Sequence, residues 1–323
     1  MPPANTGIST AASVGTALRA QVGALWHPEP MTSGQRRIGA IFIPDLPPED
    51  LRAAVGAAEA AGVSELWLWE DCFREAGFSS AAAALAWTEN LRVGIGIAPM
   101  PLRNVAITAM EIATIERMFP GRLLPGVGHG VLSWMGQVGA RVASPLTLMR
   151  EYVPALRALL AGETVSVQGR YVRLDDVRLD WPPASPPLVY AAGEGPKTLR
   201  LSGEVADGTV LTGGTSPARV ADAVALVGEG RRAAERGDGQ DVVVYVAVAF
   251  GPDTDARVTA QLERWGMPGQ TDRILTGSPA SVAAAVEEFY ASGATAVILQ
   301  PLADESDLPA FLAQVGEVGG AVL

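Results

Sequence analysis

The chain has 323 residues, enough for two average domains or for one large α/β barrel. Its 24 basic and 35 acidic residues give a net charge of −11, which disfavours binding to nucleic acids and to anionic membranes. One cysteine, Cys72, excludes an internal disulfide, and with His27 and His129 as the two histidines there is no cysteine–histidine metal cluster. These counts predict a cytoplasmic protein that acts on small molecules without a metal.

We do not expect the first 35 residues to act as a signal peptide, because Arg19 and Gln21 interrupt an alanine-rich stretch and no basic segment precedes it. We expect a flexible or loosely docked extension over 1–35 and a single domain over 36–323. Met31 is compatible with an alternative start.

From residue 37 onward, short apolar runs alternate with stretches of helical periodicity, as expected for βα units around a parallel sheet. Eight strands are predicted, over 38–43, 65–70, 92–97, 123–127, 188–191, 208–212, 242–250 and 294–300. Helices are predicted over 48–61, 79–88, 105–119, 146–161, 196–206, 217–236 and 281–292. Residues 276–279 are expected to cap the last of these helices. Eight strands with helical crossovers favour a closed (β/α)8 barrel over a doubly wound open sheet.

One segment interrupts this alternation. Residues around Gln168 and Gly169 predict a β-hairpin over 164–181, inserted between strands four and five. The proline-rich stretch over 181–187 that follows predicts a rigid connector.

Carboxylates follow the second predicted strand, where an α/β barrel forms its active site. Glu70 and Asp71 can hydrogen-bond a ligand, or exchange protons if burial raises a pKa, but solvation of the loop explains them equally well. Cys72 would act as a nucleophile only with a base such as His129, so an inert loop cysteine is the simpler interpretation.

Glycines are dense in strand three and after strand four. Gly94 and Gly96 weaken a strand unless a backbone or a ligand approaches closely, and a flat ring system against this strand would explain them. Gly128 and Gly130 flank His129, which can therefore reach the barrel mouth. There it could hydrogen-bond a ligand, transfer a proton, or make a structural hydrogen bond.

A glycine turn precedes the helix after strand five. Its free N–H groups and the positive helix end suit an anion, and Lys197, the only lysine, stands there with Gly193 and Gly195. Thr212 and Gly213 follow the next strand as further small donors. By contrast, the sequence contains no P-loop, no G-x-S-x-G elbow and no early G-x-G-x-x-G. Nucleotide hydrolysis, serine-esterase chemistry and a Rossmann dehydrogenase are thus disfavoured.

Four motifs occur in a characteristic order: Leu-Trp-Leu-Trp-Glu-Asp at 66–71, Arg-Val-Gly-Ile-Gly-Ile at 92–97, Pro-Gly-Arg-Leu at 120–123 and Gly-Val-Gly-His-Gly at 126–130. With them the chain resembles the luciferase-like monooxygenase superfamily over about residues 37–315. This resemblance implies an oxidoreductase with a luciferase-like TIM barrel. It also implies that coenzyme F420, a deazaflavin, or FMN binds at the C-terminal mouth, with its ring against strands three and four.

The resemblance further implies a non-proline cis peptide at Gly96-Ile97, and a cofactor phosphate at the loops after strands five and six. The residues expected to bind the cofactor are Glu70, Gly96, Ile97, Gly128, His129, Gly130, Gly193, Gly195, Lys197, Thr212 and Gly213.

The catalytic candidates are His129, Asp71 and Glu70. Many relatives carry Asp-His after strand two, where this chain has Glu70-Asp71, so Asp71 or His129 would replace the usual histidine as acid or base. Apolar walls such as Trp69 and Trp134 would raise the pKa of a carboxylic acid toward neutrality. Glu70 is expected to hydrogen-bond the cofactor.

The composition, rich in alanine and arginine, is typical of high-GC bacteria and favours F420, with hydride transfer to or from a small organic substrate. The alternative is an FMN-dependent, two-component monooxygenase with a flavin reductase as partner. A metal-dependent lyase with Glu70 and Asp71 as ligands, and a non-catalytic flavin-binding barrel, are further alternatives. A homodimer is compatible with the resemblance. The substrate depends on loop shape after strands one, four and seven.

Overall fold

The computed structural model describes residues 35–237 and 239–323. The extension predicted over 1–35 lies outside these residues, apart from Gln35, and the boundary at residue 36 stays a prediction. No helix within the described residues is long and apolar enough to cross a membrane.

Strands and helices alternate along most of the described chain. The strands are β1 Arg37–Phe42, β2 Glu65–Leu68, β3 Arg92–Pro99, β4 Leu123–Gly128, β5 Val165–Gln168, β6 Arg173–Val177, β7 Tyr190–Ala192, β8 Gly208–Leu211, β9 Asp241–Phe250, β10 Ile274–Gly277 and β11 Ala296–Pro301. The α-helices are α1 Leu51–Ala60, α2 Gly77–Ala86, α3 Val105–Met118, α4 Leu132–Gln137, α5 Pro145–Leu160, α6 Pro196–Val205, α7 Pro217–Ala233, α8 Asp255–Arg264, α9 Pro279–Ala291 and α10 Leu308–Val322.

Eight parallel strands close into a barrel, as the sequence predicts. Going round the barrel, β1 to β4 are followed by β7, β8, β9 and β11, and β11 pairs with β1. The hairpin insertion is also confirmed. Strands β5 and β6 form a separate antiparallel pair between barrel strands four and five.

One strand was not predicted. Residues 274–277 form β10, which pairs in parallel with Ala247–Phe250 of β9. The physical reason lies in β9, which is ten residues long and pairs with β8 only as far as Val244. Its far end would otherwise present unpaired backbone groups. The predicted N-cap of α9 comes directly after β10. There the Ser278 hydroxyl accepts a hydrogen bond from the Ser281 N–H.

Aromatic side chains fill the barrel interior and explain the two glycines of β3. A Cβ atom on Gly94 would overlap the indole of Trp67, and one on Gly96 would overlap the hydroxyl of Tyr245. Trp67 and Tyr245 are both buried, with their rings 6.0 Å apart. Side chains of the protein itself thus explain these glycines, without the ligand ring that the sequence suggested.

A buried ionic network crosses the N-terminal end of the barrel. Arg37 pairs with Glu65 and donates to both oxygens of Asp241, at 3.1 and 2.6 Å. The Tyr190 hydroxyl donates to Asp241 at 2.5 Å, and the Trp67 indole donates to Glu65 at 3.1 Å. These polar groups are therefore satisfied within the fold, at the end of the strands away from the candidate site.

Candidate active site

A cavity of about 670 Å³ lies at the C-terminal mouth of the barrel. This volume is within the usual range for small-molecule sites. Residues from the ends of seven barrel strands and from the following loops form its wall, because these ends converge at one face. The wall consists of Trp69, Glu70, Asp71, Gly96, Ile97, Pro99, His129, Gly130, Val131, Trp134, Ala192, Gly193, Glu194, Gly195, Thr198, Thr212, Gly213, Tyr245, Trp265, Met267 and Gln300.

Most residues predicted for the site line this cavity, and two do not. Gly128 is buried inside β4, where a Cβ atom would lie 2.9 Å from the side chain of Ile97. Lys197 is exposed on α6, whereas its neighbour Thr198 lines the cavity. Successive residues of a helix point about 100° apart, so Lys197 and Thr198 face different directions. Lys197 does not line this cavity, and its expected contact with the cofactor phosphate stays a prediction.

The carboxylate of Glu70 is committed to the fold. It forms a bidentate ion pair with Arg103 and accepts a hydrogen bond of 2.8 Å from the N–H of Gly77, at the start of α2. Arg103 also pairs with Glu111 at 3.2 Å. Glu70 therefore ties the loop after β2 to the start of α2 and to the segment that precedes α3, and both of its oxygens are engaged by these partners.

Asp71 is half-buried at the cavity wall. Burial raises the pKa of its carboxyl group, nearby Arg74 opposes the shift, and the charge of Asp45 adds to it. Desolvation favours the neutral form of an acid. Asp71 is therefore better suited to holding and releasing a proton near neutral pH than an exposed aspartate would be.

His129 lies after β4, on the cavity wall. Burial lowers the pKa of its imidazole, so the neutral form prevails at neutral pH. The Nδ1 atom is buried and has no hydrogen-bond partner among the described residues. A buried polar atom without a partner carries a desolvation cost, which a ligand could offset.

Two further polar groups of the wall were missed by the sequence analysis as ligand contacts. The buried indole N–H of Trp69 finds no acceptor with hydrogen-bond geometry among the described residues, although the ring of Tyr245 lies 6.0 Å away. Gln300, in β11, is 5% exposed and makes no side-chain hydrogen bond to a described residue. A glutamine at the C-terminal end of an otherwise apolar strand was the available signal for this residue.

Next to the main cavity lies a smaller pocket of about 110 Å³, which shares Gly193, Glu194, Thr212, Gly213 and Met267 with it. Arg219 and Arg273 contribute its positive charge. Arg273 donates to the carbonyl oxygen of Gly214 at 2.5 Å, and no described carboxylate lies within salt-bridge distance of either arginine. The positive charge beside the glycine turns thus comes from these two arginines.

Two non-proline cis peptides occur near the site, at Gly96-Ile97 and Cys72-Phe73. The first was expected from the resemblance. No group of three or more metal-ligating side chains occurs among the described residues, and Cys72 is a half-buried loop thiol whose pKa burial raises.

The family model for luciferase-like monooxygenases matches residues 19–273. The chain belongs to this family. The resemblance inferred from the four motifs is thereby confirmed, and with it the expectation of an oxidoreductase enzyme on a luciferase-like barrel.

Characterised relatives of this luciferase-like protein are similar over about two thirds of their length. A 5,10-methylenetetrahydromethanopterin reductase from Methanolobus tindarius is 29% identical over 218 residues, which cover 68% of this chain and 66% of the relative. An F420-dependent glucose-6-phosphate dehydrogenase from Beutenbergia cavernae is 29% identical over 247 residues, covering 71% of this chain and 72% of the relative.

The fold is shared with solved structures of more distant proteins. An F420-dependent secondary alcohol dehydrogenase, solved with an F420-acetone adduct, superposes with a TM-score of 0.79 at 21% identity. The match covers 90% of this chain and 99% of the dehydrogenase. At this identity, the likeness establishes the common fold.

Proposed function

We propose that the chain is an oxidoreductase that uses coenzyme F420 to transfer a hydride to or from a small organic molecule. The observation that carries the proposal is the cavity at the barrel mouth, where the buried Trp69 N–H and His129 Nδ1 make no hydrogen bond of good geometry to any described residue. The relative from Beutenbergia cavernae, which bears F420 dependence in its name, supports the choice of coenzyme.

The residues of the cavity fit a deazaflavin. Its flat ring with a polar edge requires apolar walls together with a few hydrogen-bonding groups, and Trp69, Ile97 and Trp134 combine with His129 to supply both. When bound, the coenzyme supplies a carbon centre that accepts or donates a hydride.

The phosphate of the coenzyme would be held at the glycine turns after β7 and β8. Gly193 and Gly195 precede the first turn of α6, and Thr212 and Gly213 follow β8. Arg273 and Arg219, in the adjoining pocket, would balance the negative charge of the phosphate and of the tail beyond it.

Asp71 and His129 would handle the proton that accompanies the hydride. Both lie on the cavity wall, and burial favours the neutral form of each group. A neutral acid can give a proton and a neutral imidazole can take one, so the two suit the two directions of the reaction. Glu70 would hold the loop that carries Asp71.

Parallel titrations of the purified protein with coenzyme F420 and with FMN test this proposal. We expect saturable binding of F420, with a dissociation constant in the micromolar range or below, followed through coenzyme fluorescence. Binding of FMN alone would favour the two-component monooxygenase and its flavin reductase. Binding of neither would overturn the proposal.

A further inference from the structure

The charged side chains of the cavity wall are all acidic. The wall includes Glu70, Asp71 and Glu194, whereas none of its residues is a lysine or an arginine. Arg103 neutralises Glu70, and Glu194 is exposed and accepts a hydrogen bond from the Thr212 hydroxyl at 2.6 Å. A phosphate or carboxylate group of a substrate, lying away from the glycine turns that would take the coenzyme phosphate, would meet negative charge and no cation, so its desolvation would go uncompensated.

No buried carboxylate of the wall is free to hold a cation either. Glu70 is paired with Arg103, and the positive charge of Arg74 lies close to Asp71. The main cavity is therefore expected to bind neither anionic nor cationic groups strongly.

Large apolar side chains line the cavity from two separate loops. Val131 and Trp134 follow β4, and Trp265 and Met267 follow α8. Trp265 and Met267 pack on a buried apolar cluster that includes Leu262. Indole and thioether groups offer wide, polarisable surfaces that favour planar apolar molecules.

Gln300 supplies a neutral polar group to this apolar wall. The residue is 5% exposed, and its Oε1 atom lies 3.0 Å from where a Cβ atom of Gly213 would be. With no partner among the described residues, its amide can donate to a carbonyl or hydroxyl oxygen. A ligand without such a group would leave it unsatisfied, which discriminates strongly between substrates.

We propose that the substrate is an uncharged, largely apolar molecule, such as a ring-bearing ketone or alcohol, whose oxygen hydrogen-bonds to Gln300. This inference rests on the proposed function, which assigns the arginine-lined pocket to the coenzyme. It separates this chain from an enzyme for sugar phosphates, because the main cavity provides no cation for a second phosphate group.

Three matched probes test the inference on the protein loaded with oxidised F420: 4-methylacetophenone, 4-acetylbenzoate and 4-acetylbenzylamine. They share one ring and one ketone, and differ in bearing a neutral, an anionic or a cationic group. Calorimetry should show saturable 1:1 binding of the neutral ketone, and at least tenfold weaker binding of both charged analogues. Glucose 6-phosphate should not bind.

Two variants test whether the neutral ketone binds in the main cavity. Gln300→Leu and Trp265→Ala should each weaken 4-methylacetophenone at least fivefold, while Trp181→Ala, which removes a tryptophan that is 71% exposed, should leave binding unchanged. Tighter binding of either charged analogue, no binding of the neutral ketone, or equal binding by the variants and the parent would overturn the inference. Coenzyme occupancy is measured first, so loss of F420 binding is recognised as failure of the proposed function.

Discussion

Burial moves the proton affinities of Asp71 and His129 in opposite directions. The pKa of the acid rises and that of the imidazole falls, because desolvation penalises the charged form of each. Their titration ranges therefore approach each other. The two groups at one cavity wall are thus closer in proton affinity than an exposed aspartate and an exposed histidine would be.

Replacement of these two residues tests their role. We expect His129→Ala and Asp71→Asn each to lower kcat by about 10² to 10⁴-fold, the range for loss of general acid–base help, once a substrate is known. Coenzyme affinity, measured in the same variants, should change far less than kcat. Losses below tenfold in both variants would contradict the assignment and leave solvent as the proton source.

The pH profile separates the two residues. If His129 takes the proton, activity is lost as the pH falls through its pKa, and because burial lowers that pKa, the loss occurs below pH 6.5. In His129→Ala this acidic limb should disappear from the plot of kcat against pH. A limb at unchanged pH in the variant would assign it to another group, with Asp71 the first candidate.

Helix geometry decides which polar residues reach the site, and the sequence conveys this only in part. The turn before α6 predicts an anion site with the single lysine as a contact. In the structure Lys197 is exposed, and its neighbour Thr198 lines the cavity. Strand β10 was missed because its four residues stabilise the sheet only against the end of β9, which lies far away in sequence. Local patterns carry no information on such pairing.

One buried acid determines how α3 joins β4. Glu116, 4% exposed on α3, accepts hydrogen bonds from the N–H groups of Gly121 at 2.9 Å and Leu123 at 3.2 Å. Burial nevertheless raises its pKa from 4.5 to about 7, against the effect of these two donors. Glu116 therefore holds the Pro-Gly-Arg-Leu motif in place through a carboxyl group that titrates near neutral pH.

This shift predicts a specific pH dependence of stability. Between about pH 4.5 and 7 the folded chain holds a proton on Glu116 that the unfolded chain has lost, so the free energy of unfolding falls as the pH rises. The loss is on the order of 3 kcal/mol for one group. Urea unfolding at pH 5 and pH 7.5 should show a smaller difference in Glu116→Gln than in the parent. Glu263→Gln, at an exposed site on α8, is the control. If Glu116→Gln shows the same difference in unfolding free energy between the two pH values as the parent, the predicted role of Glu116 is wrong.

At the scale of the whole molecule, the closed barrel could be predicted because one βα unit repeats around it. Each βα unit carries its own apolar strand and amphipathic crossover, so eight local patterns together define the architecture. The order of the motifs then indicated the family. The strand-end residues Asp71, His129, Gly193 and Thr212 followed from the rule that barrel sites form at the C-terminal face.

The remaining wall of the site depends on long-range packing. Tyr245 lies in the middle of a long apolar strand, and Trp265 follows a surface helix, so neither is distinguished from a core or loop residue by its neighbours in sequence. The glycines of β3 have an intramolecular explanation that the sequence does not show. Their partners are Trp67 and Tyr245, whose rings approach them only in the folded barrel.

In the proposed function, the cavity at the barrel mouth holds coenzyme F420. Gly195 offers a direct test, because it lines the cavity, has φ −81° and ψ 151°, and has no heavy atom within 4 Å of where a Cβ atom would be. The Cβ atom of a valine meets no protein atom at this extended backbone, so we expect the side chain to occupy ligand space while the fold is retained. Gly320, exposed on α10 and equally open, provides the matched control.

The measurement is the dissociation constant for F420 of the parent, Gly195→Val and Gly320→Val, with thermal unfolding run in parallel. We predict that Gly195→Val binds at least tenfold more weakly, a difference of about 1.4 kcal/mol, at an unfolding temperature close to that of the parent. Gly320→Val should bind like the parent. Equal affinity in all three proteins would show that the coenzyme does not occupy this cavity.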